Sequence, residues 1–66
     1  MPIIEVHVRE QEFETRKRIA QRITDVIVEE TQSPLHAVTV LFHTVNPDHV
    51  SSGGQMVIDL LEKQSR

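Results

Sequence analysis

The sequence predicts an α/β fold, a single βαβ unit with a short C-terminal hairpin or tail whose two-stranded sheet is completed by oligomerisation. Two β-branched runs with a period of two flank one long stretch with a helical period. Strand, helix and strand in that order require parallel strands and a right-handed crossover. The chain, residues 1–66, reads as one small domain without repeats, linkers or low-complexity tracts.

The first run is Ile3 to Arg9, with Ile4, Val6 and Val8 on one face and Ile3, Glu5, His7 and Arg9 on the other. Alternation with β-branching predicts a strand, and Pro2 sits at its edge, where a missing N–H matters little. From about Glu14 to Thr31 the period lengthens. Ile19, Ile23, Val26, Ile27 and Glu30, with Ala20 beside them, form one stripe of a helix. Glu12 and Glu14 complement the helix dipole at its start. Ser33-Pro34 ends the helix, because the residue before proline avoids helical backbone angles. Val38 to Thr44 is the second strand, with Val38, Val40 and Phe42 opposite Thr39, Leu41 and His43. Asn46-Pro47-Asp48 and Ser51-Ser52-Gly53-Gly54 are turn signals, and Gln55 to Leu61 is a short apolar tail.

Composition narrows the function. Hydrophobic residues at 38% and charged residues at 26% describe an ordinary soluble chain rather than a disordered one. The apolar runs are too short to span a bilayer, and the N-terminus lacks a signal peptide's basic and apolar regions, so a cytoplasmic protein is expected. A net charge of −3 does not favour nucleic acid, and Phe13 and Phe42 alone offer no stacking platform. Arg16-Lys17-Arg18 with Arg22 reads as a solvated helix face balanced by Glu14, Asp25, Glu29 and Glu30. There is no cysteine, and His7, His36, His43 and His49 lack zinc-site spacing, so neither a disulfide nor a metal is expected to support the fold. So small a core then points to self-association. His7 and His43 fall on neighbouring strands with similar facing, which suits ordinary sheet or interface histidines, a metal or acid–base role for the pair being the lesser alternative.

Proline at position 2 stands apart. Initiator methionine is generally removed before a small residue, which would leave Pro2 as a rigid secondary amine at the tip of a strand. An α-amino group titrates near neutral pH, so such an amine is suited to act as a general base.

Met-Pro-Ile-Ile-Glu-Val-His-Val, a helix of this length, Ser-Pro-Leu-His-Ala-Val-Thr-Val and Asn-Pro-Asp-His-Val-Ser-Ser-Gly-Gly together resemble the 4-oxalocrotonate tautomerase family, from Pro2 to about Gly54. The resemblance implies a homohexamer arranged as a trimer of dimers, with each dimer forming a four-stranded sheet under two helices. It also implies catalysis by the amino-terminal proline, Pro2, which moves a proton between oxygen and carbon of an enol or 2-hydroxydienoate carboxylic acid. The implied partner is thus a small-molecule carboxylate substrate, and no cofactor is involved.

The chain departs from the family's pattern at the substrate-binding positions. Glu10-Gln11-Glu12-Phe13 replaces Glu-Gly-Arg-Ser and is one residue shorter before the helix. Thr39 stands where the family has a second arginine, and Val50 where it has an aromatic residue. Glu12 would repel a dianion, which argues against 4-oxalocrotonate itself as substrate. Arg9, as in the dehalogenase branch of the family, is the candidate for binding a single carboxylate near Pro2, from the same or an adjoining subunit. Its competing role is an exposed edge-strand charge that deters aggregation. That branch's activating glutamate would fall near Ser52, so hydration of haloacrylates is not expected. The expected function is enol–keto isomerisation of a monocarboxylic 2-keto acid. The alternatives are a related proline-dependent decarboxylation or hydration, or a non-catalytic subunit of a mixed assembly whose partner supplies arginines.

Overall fold

The computed structural model describes residues 1–64. Strand β1 (Ile3–Val8) leads into helix α1 (Phe13–Thr31), and a one-turn 3-10 helix (Leu35–Ala37) returns the chain to strand β2 (Thr39–Thr44). β1 and β2 pair in parallel with Ile3 opposite Thr39 and His7 opposite His43, which is the expected βαβ unit. Each strand is one residue shorter than its sequence run, because Arg9 bends away after β1 and Val38 closes the preceding turn.

Period two shows directly in solvent exposure. Ile4, Val6 and Val8 are half-buried, while Ile3, Glu5 and His7 are exposed. On β2, Val40 and Phe42 are half-buried and Leu41 and His43 exposed. α1 turns Ile19, Ala20, Ile23, Thr24, Ile27 and Val28 inward. Val26 and Glu30, expected within the stripe, are exposed, because the packed face centres on the Ala20, Ile23 and Ile27 side of the helix and leaves both at or beyond its margin. Glu12 occupies the N-cap position without a side-chain cap bond. Gln32 closes the helix in the left-handed region (φ 61°), donating its N–H to the Val28 carbonyl. In the basic run, Arg16 reaches out of the helix to Glu10 Oε1 (3.3 Å) and the Gln11 carbonyl (2.8 Å).

After β2, Asn46 Oδ1 accepts from the Asp48 N–H and starts a second 3-10 turn (Pro47–His49). β3 (Ser51–Ser52) and β4 (Gln55–Met56) form a two-residue hairpin, and α2 (Val57–Gln64) follows at once. Gly53 (φ 59°) and Gly54 (φ 83°) supply the two positive φ angles of a type I′ turn. The apolar tail is therefore one strand residue pair and a helix, with Leu60 and Leu61 half-buried.

Among the described residues none is fully buried. The Cα radius of gyration is 15.6 Å and the extents are 46 × 24 × 16 Å. A compact domain of this length would have a radius of about 11 Å. α2 and its hairpin pack chiefly on themselves and on the adjacent 3-10 turn, so they extend from the βαβ unit as an arm. No helix among the described residues is long and apolar enough to cross a membrane.

Candidate active site

Pro2 is half-buried at the entrance to β1, and Met1 in front of it is 89% exposed. The Pro2 carbonyl accepts a hydrogen bond from the Thr39 N–H at 3.0 Å. This bond extends the parallel ladder by one rung, so position 2 is fixed against the start of β2 although proline cannot donate to a ladder itself. Pro2 and Thr39 are thereby brought together, as neighbours at the N-terminal end of the sheet.

Arg9 lies at the other end. Seven residues of extended chain separate it from Pro2, roughly 23 Å at 3.3 Å per residue, so the two cannot share a small substrate within one chain. Arg9 lines an open cleft of about 520 Å³ at the C-terminal ends of the strands, with Glu10, Gln11, Thr44, Val45, Asn46 and Pro47. The carboxyl ends of parallel strands are a usual place for ligands in α/β sheets. Glu10 does not neutralise Arg9. Its Oε1 takes the Arg16 guanidinium at 3.3 Å, and its Oε2 accepts from the Thr44 hydroxyl at 3.3 Å. Among the described residues Arg9 has no ion pair or hydrogen-bond partner for its guanidinium.

Val50 follows the second 3-10 turn at the base of the hairpin, half-buried, and its carbonyl accepts from the Val57 N–H at 2.8 Å. It lies six residues beyond the end of β2, in the arm rather than beside Pro2.

One grouping is only partly legible in the sequence. The imidazoles of His7 and His43 stack with centroids 4.5 Å apart and planes at 13°. Glu5 joins them, its Oε1 lying 3.3 Å from His43 Nε2. The paired facing of the histidines was legible from period two. Glu5 shares the parity of His7, the one signal that would have added it.

A sequence model of the family described as "Tautomerase enzyme" matches residues 2–60. Three solved structures give the scale of the structural likeness. TomN, a 4-oxalocrotonate tautomerase homologue in the tomaymycin biosynthetic pathway, is 23% identical with a TM-score of 0.83, over 98% of this chain and 97% of its own. DmpI from Archaeoglobus fulgidus is 24% identical with a TM-score of 0.82, over 88% and 100%. A heterohexameric 4-oxalocrotonate tautomerase from Chloroflexus aurantiacus is 21% identical with a TM-score of 0.83, over 91% and 98%. Comparison with curated protein sequences finds no significant match. The structures agree on the βαβ fold with its C-terminal hairpin. With the family model spanning nearly the whole sequence from Pro2 onward, the chain belongs to the tautomerase family.

Proposed function

We propose that this chain is an isomerase that uses the amino-terminal proline, Pro2 after removal of Met1, as general base for enol–keto proton transfer on a monocarboxylic 2-keto acid. The observation that carries this reading is the family match beginning at Pro2 itself, on a residue tied to β2 by the Thr39 bond. In the reaction, the proline amine takes the enol O–H proton. The oxygen's electron pair forms the C2 carbonyl, the electrons of the C2–C3 double bond pass to C3, and the prolinium returns the proton there. Charge and atoms balance, so no cofactor is needed.

The substrate carboxylate requires a cation, and Arg9 is the candidate because it is unpaired among the described residues. Because it stands at the opposite end of β1 from Pro2, this reading requires a site shared between subunits. Two copies set side by side about a two-fold axis, with strands antiparallel across the seam, would bring the partner subunit's Arg9 to the Pro2 end. The exposed faces and the extended arm of the isolated chain support such an assembly. We take it to be a homohexamer built as a trimer of dimers, working in the cytoplasm. Thr39 offers a hydroxyl and Val50 an apolar wall at the remaining substrate-binding positions. Neither replaces the charge-assisted, bidentate grip of an arginine, so the site suits a substrate with one carboxylate.

The test follows phenylenolpyruvate ketonisation by ultraviolet absorbance, with mass spectrometry establishing that Met1 is absent. A rate well above buffer in the processed wild type, lost in Pro2→Ala, supports the reading. A rate equal to buffer in both overturns it.

A second reading has its own observation. A relative with this fold is a heterohexamer, and the family's arginine is replaced here by Thr39. The chain would then be a subunit whose partner supplies arginine. Activity that arises only on mixing with a second tautomerase chain would select that reading.

A further inference from the structure

We propose that Glu5, His7 and His43 form a binding site for a zinc-class divalent transition metal ion on the helix-free face of the β1–β2 sheet. One ligand atom from each of the three lies within 4.8 Å of the other two. The topology explains the grouping. His7 and His43 are register partners on parallel strands, so their side chains leave the sheet side by side. Glu5 is two residues before His7 on the same face and reaches diagonally to His43.

The geometry suits a tetrahedral ion. Metal–ligand distances of 2.0–2.1 Å set neighbouring ligand atoms about 3.3 Å apart. Glu5 Oε1 and His43 Nε2 are 3.3 Å apart. The stacked imidazoles hold their nitrogen lone pairs in nearly parallel planes, so binding requires the rings to turn out of the stack, which their exposure leaves room for. Two imidazoles with one carboxylate select transition ions over magnesium or calcium, which prefer all-oxygen sets. Three protein ligands leave one position for water.

The surroundings give the site a purpose. Ile3 (57% exposed) and Leu41 (43% exposed) share this face, so it is a surface that association would cover. A covered Glu5 carboxylate needs a compensating cation. A metal would supply one and would also tie β1 to β2 in a chain that has no disulfide. The competing occupant is a proton, which leaves only a Glu5–histidine ion pair. This site is independent of Pro2, which has the opposite strand parity to Glu5 and His7.

The experiment titrates zinc into chelator-stripped full-length protein by calorimetry and records the visible spectrum of the Co2+ form. The expected result is one ion per chain, with the intense bands of tetrahedral Co2+. His7→Ala and His43→Ala should each weaken zinc binding by more than the roughly 10- to 100-fold that loss of an outer-shell contact costs. His36→Ala and His49→Ala should bind as wild type. Because ring nitrogens can be followed in the unaltered protein, histidine 1H–15N spectra provide a check that needs no variant; His7 and His43 should shift on zinc addition and His36 and His49 should not. Absence of zinc-dependent heat and of histidine shifts would overturn the proposal and leave the proton as occupant. Binding that survives in His7→Ala and His43→Ala would overturn it equally.

Discussion

At the scale of single residues, the proposed chemistry turns on one nitrogen and one guanidinium at opposite ends of a six-residue strand. Pro2→Ala, processed to a free amino terminus, should lower kcat/KM for phenylenolpyruvate by roughly 100-fold, the lower range of what a positioned base contributes. Steady-state kinetics on mass-verified protein checks this. Arg9→Ala should lower kcat/KM by about 10- to 100-fold, as expected for losing a hydrogen-bonded charge worth about 1.5–3 kcal/mol. Arg9→Lys should recover little, because an ammonium cannot make the bidentate contact. Unchanged kinetics in Arg9→Ala would assign the residue to edge protection instead.

At the scale of elements, the end of α1 and the turn of the hairpin both rest on backbone in the left-handed region. Gly53 adopts φ 59° with open space around its Cα, so Gly53→Ala meets no side-chain clash and isolates the backbone cost. That cost is about 1 kcal/mol for an L-residue in the left-handed region. The Val57 amide, bonded to the Val50 carbonyl at 2.8 Å, reports on the hairpin. Its hydrogen-exchange protection should fall about fivefold in the variant. Gln32 presents the reverse case, a non-glycine residue at φ 61° that ends α1. Gln32→Gly should stabilise the protein by about 0.5–1 kcal/mol, a gain reduced by loss of the Gln32 Nε2 bond to the Glu29 carbonyl. The denaturant midpoint at fixed protein concentration measures it.

At the scale of the whole molecule, the single chain is a component rather than a finished body. Its accessible surface is 5377 Å², against about 4,300 Å² for a compact protein of this mass. The excess lies where apolar side chains meet solvent, with Leu41 at 43%, Val26 at 56% and Phe13 at 65% exposure. On the homohexamer proposed above, sedimentation at micromolar concentration should give a particle of six 7.6 kDa chains, about 46 kDa. Leu41→Lys, which sets a charge on the helix-free face, should shift that particle to smaller species. A wild-type monomer would overturn the shared-site reading, because Pro2 would then have no Arg9 within reach.

The βαβ order, both faces of each strand and the helix limits were legible in the sequence because they follow from periods of two and 3.6, which adjacent residues set. Pro2 was legible as a candidate for a similar reason, since the role proposed for it is read from residue type and position alone. Val26 and Glu30 were misplaced because a stripe's margin depends on what packs against the helix, and the form of Gln55 to Leu61 was open because a short apolar run fits either period. Only the tertiary structure decided which residues meet. Register set His7 against His43 and brought His43 within reach of Glu5 across 38 positions of sequence. The straightness of β1 likewise separated Arg9 from Pro2. Local pattern determines what each segment becomes, while a site is a set of distances between segments, and those are fixed only when the strands pair.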